Sequence, residues 1–173
     1  MSTRISGGFL KGRVLPTPKG VRTRPTSSRI REALFSILGP LEGLGFLDLY
    51  AGSGSVGIEA LSRGAARVHW VEFHTPTAKS IVTILNNWQL SGEVHAEKVQ
   101  HYLDSSPLSF DVVFVDPPFV ETYPNYDWKR VLNPGGRLVL QYPKRLKLTI
   151  LDKANKIKKY GESHLAIIYE EDL

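Results

Sequence analysis

The 173-residue chain contains no cysteine. That excludes disulfides, thiolate metal sites and cysteine nucleophiles. Long apolar runs are also missing, and none approaches the ~20 residues that span a bilayer. The opening Met1-Ser2-Thr3-Arg4 leads into polar sequence rather than a signal segment, so the expectation is a cytoplasmic protein without membrane contact. The five histidines, His69, His74, His95, His101 and His164, show no metal spacing, and no metal is expected. No long exposed apolar stripe is visible, which points to a monomer. Internal repeats and low-complexity segments are absent.

Acidic residues are missing where they would matter most. Residues 1–31 hold eight Lys/Arg and no Asp/Glu. Residues 32–143 carry seven basic and twelve acidic residues, residues 144–160 seven basic and one acidic, and residues 161–173 a net charge of −4. Positive charge therefore flanks an acidic middle. Such asymmetry suggests a polyanionic partner, most plausibly nucleic acid. Solvated lysine-rich faces are the bland alternative, stronger for 144–160 than for the N-terminal segment.

What is present reads as one domain of alternating strands and helices with a small appendage. Arg4 to Val14 forms a short hairpin around Gly7-Gly8 and Lys11-Gly12, followed by a Pro-, Gly-, Thr- and Arg-rich loop. A helix from Ser27 to Leu38 buries Ile30, Ala33, Leu34, Ile37 and Leu38, with Thr26 and Ser28 as candidate N-caps. Strands follow at Gly45 to Tyr50, Val68 to Glu72, Glu93 to Glu97, Asp111 to Asp116 and Arg137 to Gln141. Helices lie at Ser55 to Ser62 and Thr77 to Gln89. Lys156 to Tyr160 and Leu165 to Tyr169 close the chain as a hairpin. Trp70 and Trp88 fall on apolar faces. Tyr123, Tyr126 and Trp128 form an aromatic loop, either ordinary packing or a lid. The alternation predicts an α/β sheet, mostly parallel, with helices on both faces. Residues 1–25 are the basic extension and residues 26–173 the main domain.

Two motifs carry the chemistry. Leu47-Asp48-Leu49-Tyr50-Ala51-Gly52-Ser53-Gly54-Ser55-Val56-Gly57 leaves a strand and enters a helix. Its glycines admit a close backbone approach, and the helix start offers free N–H groups. The same residues satisfy G-x-G-x-x-G, with Glu72 20 residues after Gly52, so the loop alone fits a nicotinamide enzyme equally well. Asp48 favours a cationic cofactor, since a carboxylate there could face a positively charged methionine end. Glu72 can accept from both ribose hydroxyls, and Phe73 can pack on an adenine.

The second motif is Asp116-Pro117-Pro118-Phe119, directly after Val112-Val113-Phe114-Val115. An aromatic amine is a poor nucleophile because its lone pair is spread into the ring. Acceptors fixed on its N–H groups return that density to nitrogen. Asp116 and the Pro117 carbonyl are such acceptors, Pro117 and Pro118 stiffen the loop, and Phe119 offers a stacking face for an extruded base. Together the motifs read as an S-adenosylmethionine-dependent methyltransferase acting on an exocyclic nitrogen of a base. Carbon-5 methylation of pyrimidines, which normally needs a cysteine, is excluded. A DNA adenine-N6 methyltransferase, a nicotinamide-dependent oxidoreductase and a non-catalytic RNA-binding module are the rivals. The first would usually carry a target-recognition domain for which this chain has no room.

At this point a resemblance is specific. Arg24-Pro25-Thr26-Ser27-Ser28-Arg29-Ile30-Arg31-Glu32-Ala33-Leu34-Phe35, the Leu47 to Gly57 loop, Asp116 to Phe119 and Lys159-Tyr160-Gly161-Glu162 resemble bacterial methylases that modify N2 of a guanine in 16S ribosomal RNA. Arg4-Ile5-Ser6-Gly7-Gly8 and Lys11-Gly12-Arg13 match as well, so the likeness covers nearly the whole chain. It implies a Rossmann-like class I methyltransferase fold with a mostly parallel seven-stranded sheet and an N-terminal β-hairpin extension. The implied substrate is a small ribosomal subunit or its assembly intermediate. The resemblance implies a cofactor role for Asp48, Tyr50, Ala51, Gly52, Ser53, Gly54, Glu72 and Phe73, with Lys98 and Val99 at the adenine edge. It assigns base and catalytic roles to Asp116, Pro117, Pro118 and Phe119. Arg24, Thr26, Arg29 and Arg31 would lie near the RNA or the active-site mouth. With Arg22 and the hairpin cations Arg4, Lys11 and Arg13, these arginines are the expected phosphate contacts. The sequence departs from the family pattern at Ser28, where an acidic residue is usual, at Lys98-Val99, where Asp or Asn precedes Ala, and at Gln141, where glutamate is common.

Overall fold

The computed structural model describes residues 3–16, 26–118 and 123–173. Two short strands, β1 (Thr3–Arg4) and β2 (Val14–Leu15), pair antiparallel. The helix α1 (Ser28–Leu38) follows. Then come β3 (Gly45–Leu49), α2 (Ser55–Ser62), β4 (Arg67–Val71), α3 (Thr75–Trp88), β5 (Glu93–His95), α4 (Val99–Ser105) and β6 (Phe110–Val115). The chain ends with β7 (Leu132–Pro143), β8 (Lys156–Tyr160) and β9 (Ser163–Tyr169). One seven-stranded sheet runs in the order β5-β4-β3-β6-β7-β9-β8. Strands β3 to β7 are parallel, and β9 is antiparallel to both β7 and β8. Among the described residues no helix is long and apolar enough to cross a membrane.

Parallel strands buried on both faces need apolar side chains in both directions. β3 and β6 have them. Phe46, Val112 and Phe114 pack on one face with Ile30 and Leu34 of α1, Val56 and Ile58 of α2, and Ile81 and Leu85 of α3. Leu47, Leu49, Val113 and Val115 pack on the other with Val99, Tyr102 and Leu103 of α4 and with Trp128 and Val131. Ile5, Leu10 and Leu15 of the hairpin belong to the first cluster, so the basic extension shares the main core.

A buried ion pair fastens that extension. Arg31 Nε donates to Glu59 Oε2 at 2.5 Å, and both side chains are fully buried. Arg31 also donates to the backbone carbonyl of Arg4 at 2.5 Å. Glu59 accepts from the Ser6 hydroxyl and from Arg63 Nη2 at 2.8 Å. Burial alone would raise the Glu59 carboxyl, but its bonds to Ser6, Arg31 and Arg63 outweigh that and hold it below the usual range. This corrects the expectation that Arg31 contacts RNA phosphate: its guanidinium is consumed inside the fold.

Other differences are local. Ser27, rather than Thr26 or Ser28, caps α1, its hydroxyl accepting from the Ile30 N–H at 3.3 Å. The seven-residue α4 was not anticipated, because so short a segment has too few turns to display a period. β7 begins five residues earlier than expected, absorbing the Asn133–Gly136 turn as a register shift opposite Phe110 and Val112. Trp70 is fully buried, whereas Trp88 is only partly so and lies under the Arg13 guanidinium at 4.5 Å. Trp128 is buried, which settles the bland reading for that ring.

Candidate active site

The strand order reverses at β3: β4 and β5 extend on one side of it and β6 and β7 on the other. Ligands of open α/β sheets bind beyond the carboxyl ends of the strands at such a switch. A cleft of about 960 Å³ opens there, within the range of sites that enclose a small molecule. Tyr50, Ala51, Gly52 and Ser53 line it from the end of β3, and Glu72 and Phe73 from the end of β4. Lys98 and Val99 line it from the start of α4, and Asp116, Pro117 and Pro118 from the end of β6. Phe119 lies outside the described residues, as do Arg22 and Arg24.

The glycine loop is held from within. Gly54 caps α2 with φ +73°, a left-handed conformation natural to glycine. At Gly57 a Cβ would overlap the indole nitrogen of Trp70, which donates to the Gly54 carbonyl at 3.2 Å. Glycine there lets α2 lie against β4. Asp48 Oδ2 accepts the Gly57 N–H at 2.9 Å and is almost wholly buried. Asp48 and Gly54 therefore do not line the cleft. Through this bond Asp48 ties the start of α2 to β3. Burial pushes its carboxyl well above the usual carboxylate range, and the nearby charges of Asp116 and Glu72 add to that, against the opposing bond from Gly57.

Glu72 is fixed by the backbone. Its Oε2 accepts the Gly52 N–H at 2.8 Å, and its Oε1 accepts the His74 N–H at 2.7 Å. Glu72 lines the cleft, and each of its oxygens can accept a further bond, the acceptor pair that two ribose hydroxyls require. The Phe73 ring is 65% exposed, free to cover an aromatic ligand, and the Lys98 ammonium lies 5.7 Å from its centroid. An adenosyl group thus fits the residues present.

At the other end, the Thr26 hydroxyl donates to Asp116 Oδ2 at 3.3 Å. The Tyr123 hydroxyl donates to the Gln141 carbonyl, and burial, then the Asp116 charge, raises its pKa far beyond the usual phenol. Arg29 is exposed at the rim and lines the cleft. Arg4, Lys11 and Arg13 are exposed on the hairpin, outside the cleft. Gln100, Tyr160, Glu162 and Ser163 also line it. Tyr160 and Glu162 were legible only through the Lys159 to Glu162 likeness, and Gln100 and Ser163 carry no sequence signal of their own. The last hairpin reaches the site because β9 lies antiparallel beside β7.

A second cluster lies away from the cleft. His69, Glu93 and His95 sit on adjacent strands, and one potential ligand atom from each lies within 4.8 Å of the others. Such a group can hold a divalent ion, which sequence spacing did not suggest because His69 and Glu93 meet only through strand pairing. His95 Nε2 and His69 Nδ1 are 3.1 Å apart and share a hydrogen bond.

A family model described as Conserved hypothetical protein 95 matches residues 3–169. Ribosomal RNA small subunit methyltransferase D of Escherichia coli is 37% identical over 118 residues, 67% of this chain. That match spans 60% of the relative's own length. Among solved structures, an E. coli protein provisionally named a methyltransferase superposes with a TM-score of 0.83 at 26% identity, over 98% of both chains. A T. thermophilus 16S rRNA guanine-N2 methyltransferase, in complex with S-adenosylmethionine and guanosine, superposes with a TM-score of 0.72 at 25% identity. That likeness covers 98% of this chain and 49% of the other.

Proposed function

This chain belongs to the family described as Conserved hypothetical protein 95, and from that premise we propose that it methylates the exocyclic N2 of a guanine in small-subunit ribosomal RNA, using S-adenosylmethionine. That it is a methyltransferase follows from its relatives and its fold. One observation carries the proposal: Asp116 and Pro117 share a single cleft with Glu72 and the Gly52 turn, at the switch point of the sheet.

When bound, S-adenosylmethionine supplies a methyl group on a positively charged sulfur. Glu72 accepts from the ribose hydroxyls and Phe73 covers the adenine. Asp116 and the Pro117 carbonyl accept hydrogen bonds from the guanine amine. This draws nitrogen toward a tetrahedral shape and concentrates its lone pair on the methyl carbon. The carbon–sulfur bond breaks as the carbon–nitrogen bond forms, and its electron pair stays on sulfur. The proton lost from nitrogen passes to the Asp116 carboxylate and then to solvent. Much of the rate comes from orientation, since a well-placed pair of reactants gains about 7–11 kcal/mol over a free encounter.

The test is transfer of a labelled methyl group to unmodified bacterial small subunits and to naked ribosomal RNA, followed by digestion to nucleosides. The expected product is N2-methylguanosine, and Asp116→Ala should abolish it while leaving cofactor binding intact. Label in N6-methyladenosine, or no label on RNA with the cofactor still bound, would overturn the reading.

A further inference from the structure

Gln141 is 6% exposed and lines the cleft. Among the described residues its Oε1 is the buried side-chain polar atom without a hydrogen-bond partner. A buried acceptor left unmet is costly, and in a ligand site it marks where a ligand donor belongs. Resting on the guanine-N2 reading above, we propose that Gln141 is a specificity-determining residue whose Oε1 accepts the N1–H of the target guanine.

The geometry follows from the sheet. Val115 of β6 pairs in parallel register with Leu140 of β7, so the next residues, Asp116 and Gln141, stand side by side at the strand ends. Neighbouring strands lie about 4.8 Å apart, well within reach of one base edge. Guanine presents its N2 amine and its N1–H as adjacent donors on that edge. With the amine held by Asp116 and Pro117, N1–H is the donor directed at the neighbouring strand. Adenine presents an acceptor at N1, which would face Oε1 lone pair to lone pair. The same atom therefore selects guanine and rejects adenine. The backbone around it is fixed, because the Gln141 carbonyl accepts from Tyr123 and the residue pairs with Leu165 of β9.

The probes are guanosine and 2-aminopurine riboside, titrated into the protein saturated with S-adenosylhomocysteine. 2-Aminopurine keeps the amine at C2 but lacks N1–H and the carbonyl oxygen. Wild type should bind guanosine about tenfold more tightly, the discrimination expected when one buried acceptor loses its donor. Gln141→Leu should bring the two affinities together, while Gln141→Glu, which keeps an acceptor, should retain the preference. S-adenosylhomocysteine affinity in each variant reports folding. Equal affinities in wild type, a preference that survives Gln141→Leu, or binding of neither nucleoside would each overturn the inference. Methyl transfer by wild type to RNA, run in parallel, separates the two failures. Its absence sinks the guanine-N2 reading, and its presence with an unchanged nucleoside ratio sinks the Gln141 role alone.

Discussion

Glu72 has two duties that a single substitution would expose. It braces the Gly52 turn through one oxygen and the His74 N–H through the other, and it faces the cleft with what remains. Replacing it with alanine should weaken S-adenosylmethionine binding at least tenfold, as removal of a charged hydrogen-bond acceptor costs about 1.5–3 kcal/mol. Calorimetric titration would measure this. Gly57 works by the lack of a side chain. Gly57→Ala must push α2 off Trp70, and overpacking of this kind costs about 1–3 kcal/mol. Urea unfolding of the variant would show the loss. The glycine loop and Glu72 were legible in the sequence because their chemistry is local. Gln141 was visible only as a departure from a family pattern, since its neighbour Asp116 is 25 residues away along the chain and adjacent only through strand pairing.

Among the elements, α1 and α2 are joined by the Arg31–Glu59 pair, which also grips Ser6 and the Arg4 carbonyl. Removing one partner strands a buried charge. Arg31→Met should therefore destabilise the protein by about 3–5 kcal/mol, read from the shift in urea midpoint. The pH dependence has a definite sign. The Glu59 carboxyl is held below its ordinary value of 4.5 in the fold, so its ionised form stabilises the native state above that value. That contribution is lost as pH falls below 4.5 through the lower folded value. Acid unfolding curves of Glu59→Gln should be flatter than wild type below pH 4.5. The sequence reading placed Arg31 among the phosphate contacts. Nothing in the periodicity of α1 revealed its internal partner, because Glu59 is placed opposite only when α2 docks on the same face of the sheet.

For the whole molecule, charge is distributed by topology. The edge strand β8 carries Lys156, Lys158 and Lys159, all exposed, and unpaired strand edges are commonly protected by lysine. On the opposite side of the sequence, the hairpin exposes Arg4, Lys11 and Arg13. If the lysines of β8 meet RNA phosphate, replacing all three with alanine should lower the slope of log affinity against log salt by about two. Filter binding across a salt series would measure it, and an unchanged slope would leave them as edge protection only.

The sequence by itself determined the class of fold and the two ends of the site. Strands buried on both faces, glycine turns and the Asp-Pro-Pro run depend on neighbours within a few residues, and such short-range constraints are written in order along the chain. Tertiary structure alone decided which groups meet. It drew Arg31 into the fold, tied Asp48 to the start of α2, brought β8 and β9 to the rim, and set Gln141 beside Asp116. Those outcomes depend on which strands lie adjacent and in what register, and that is a property of the assembled sheet rather than of any segment in it.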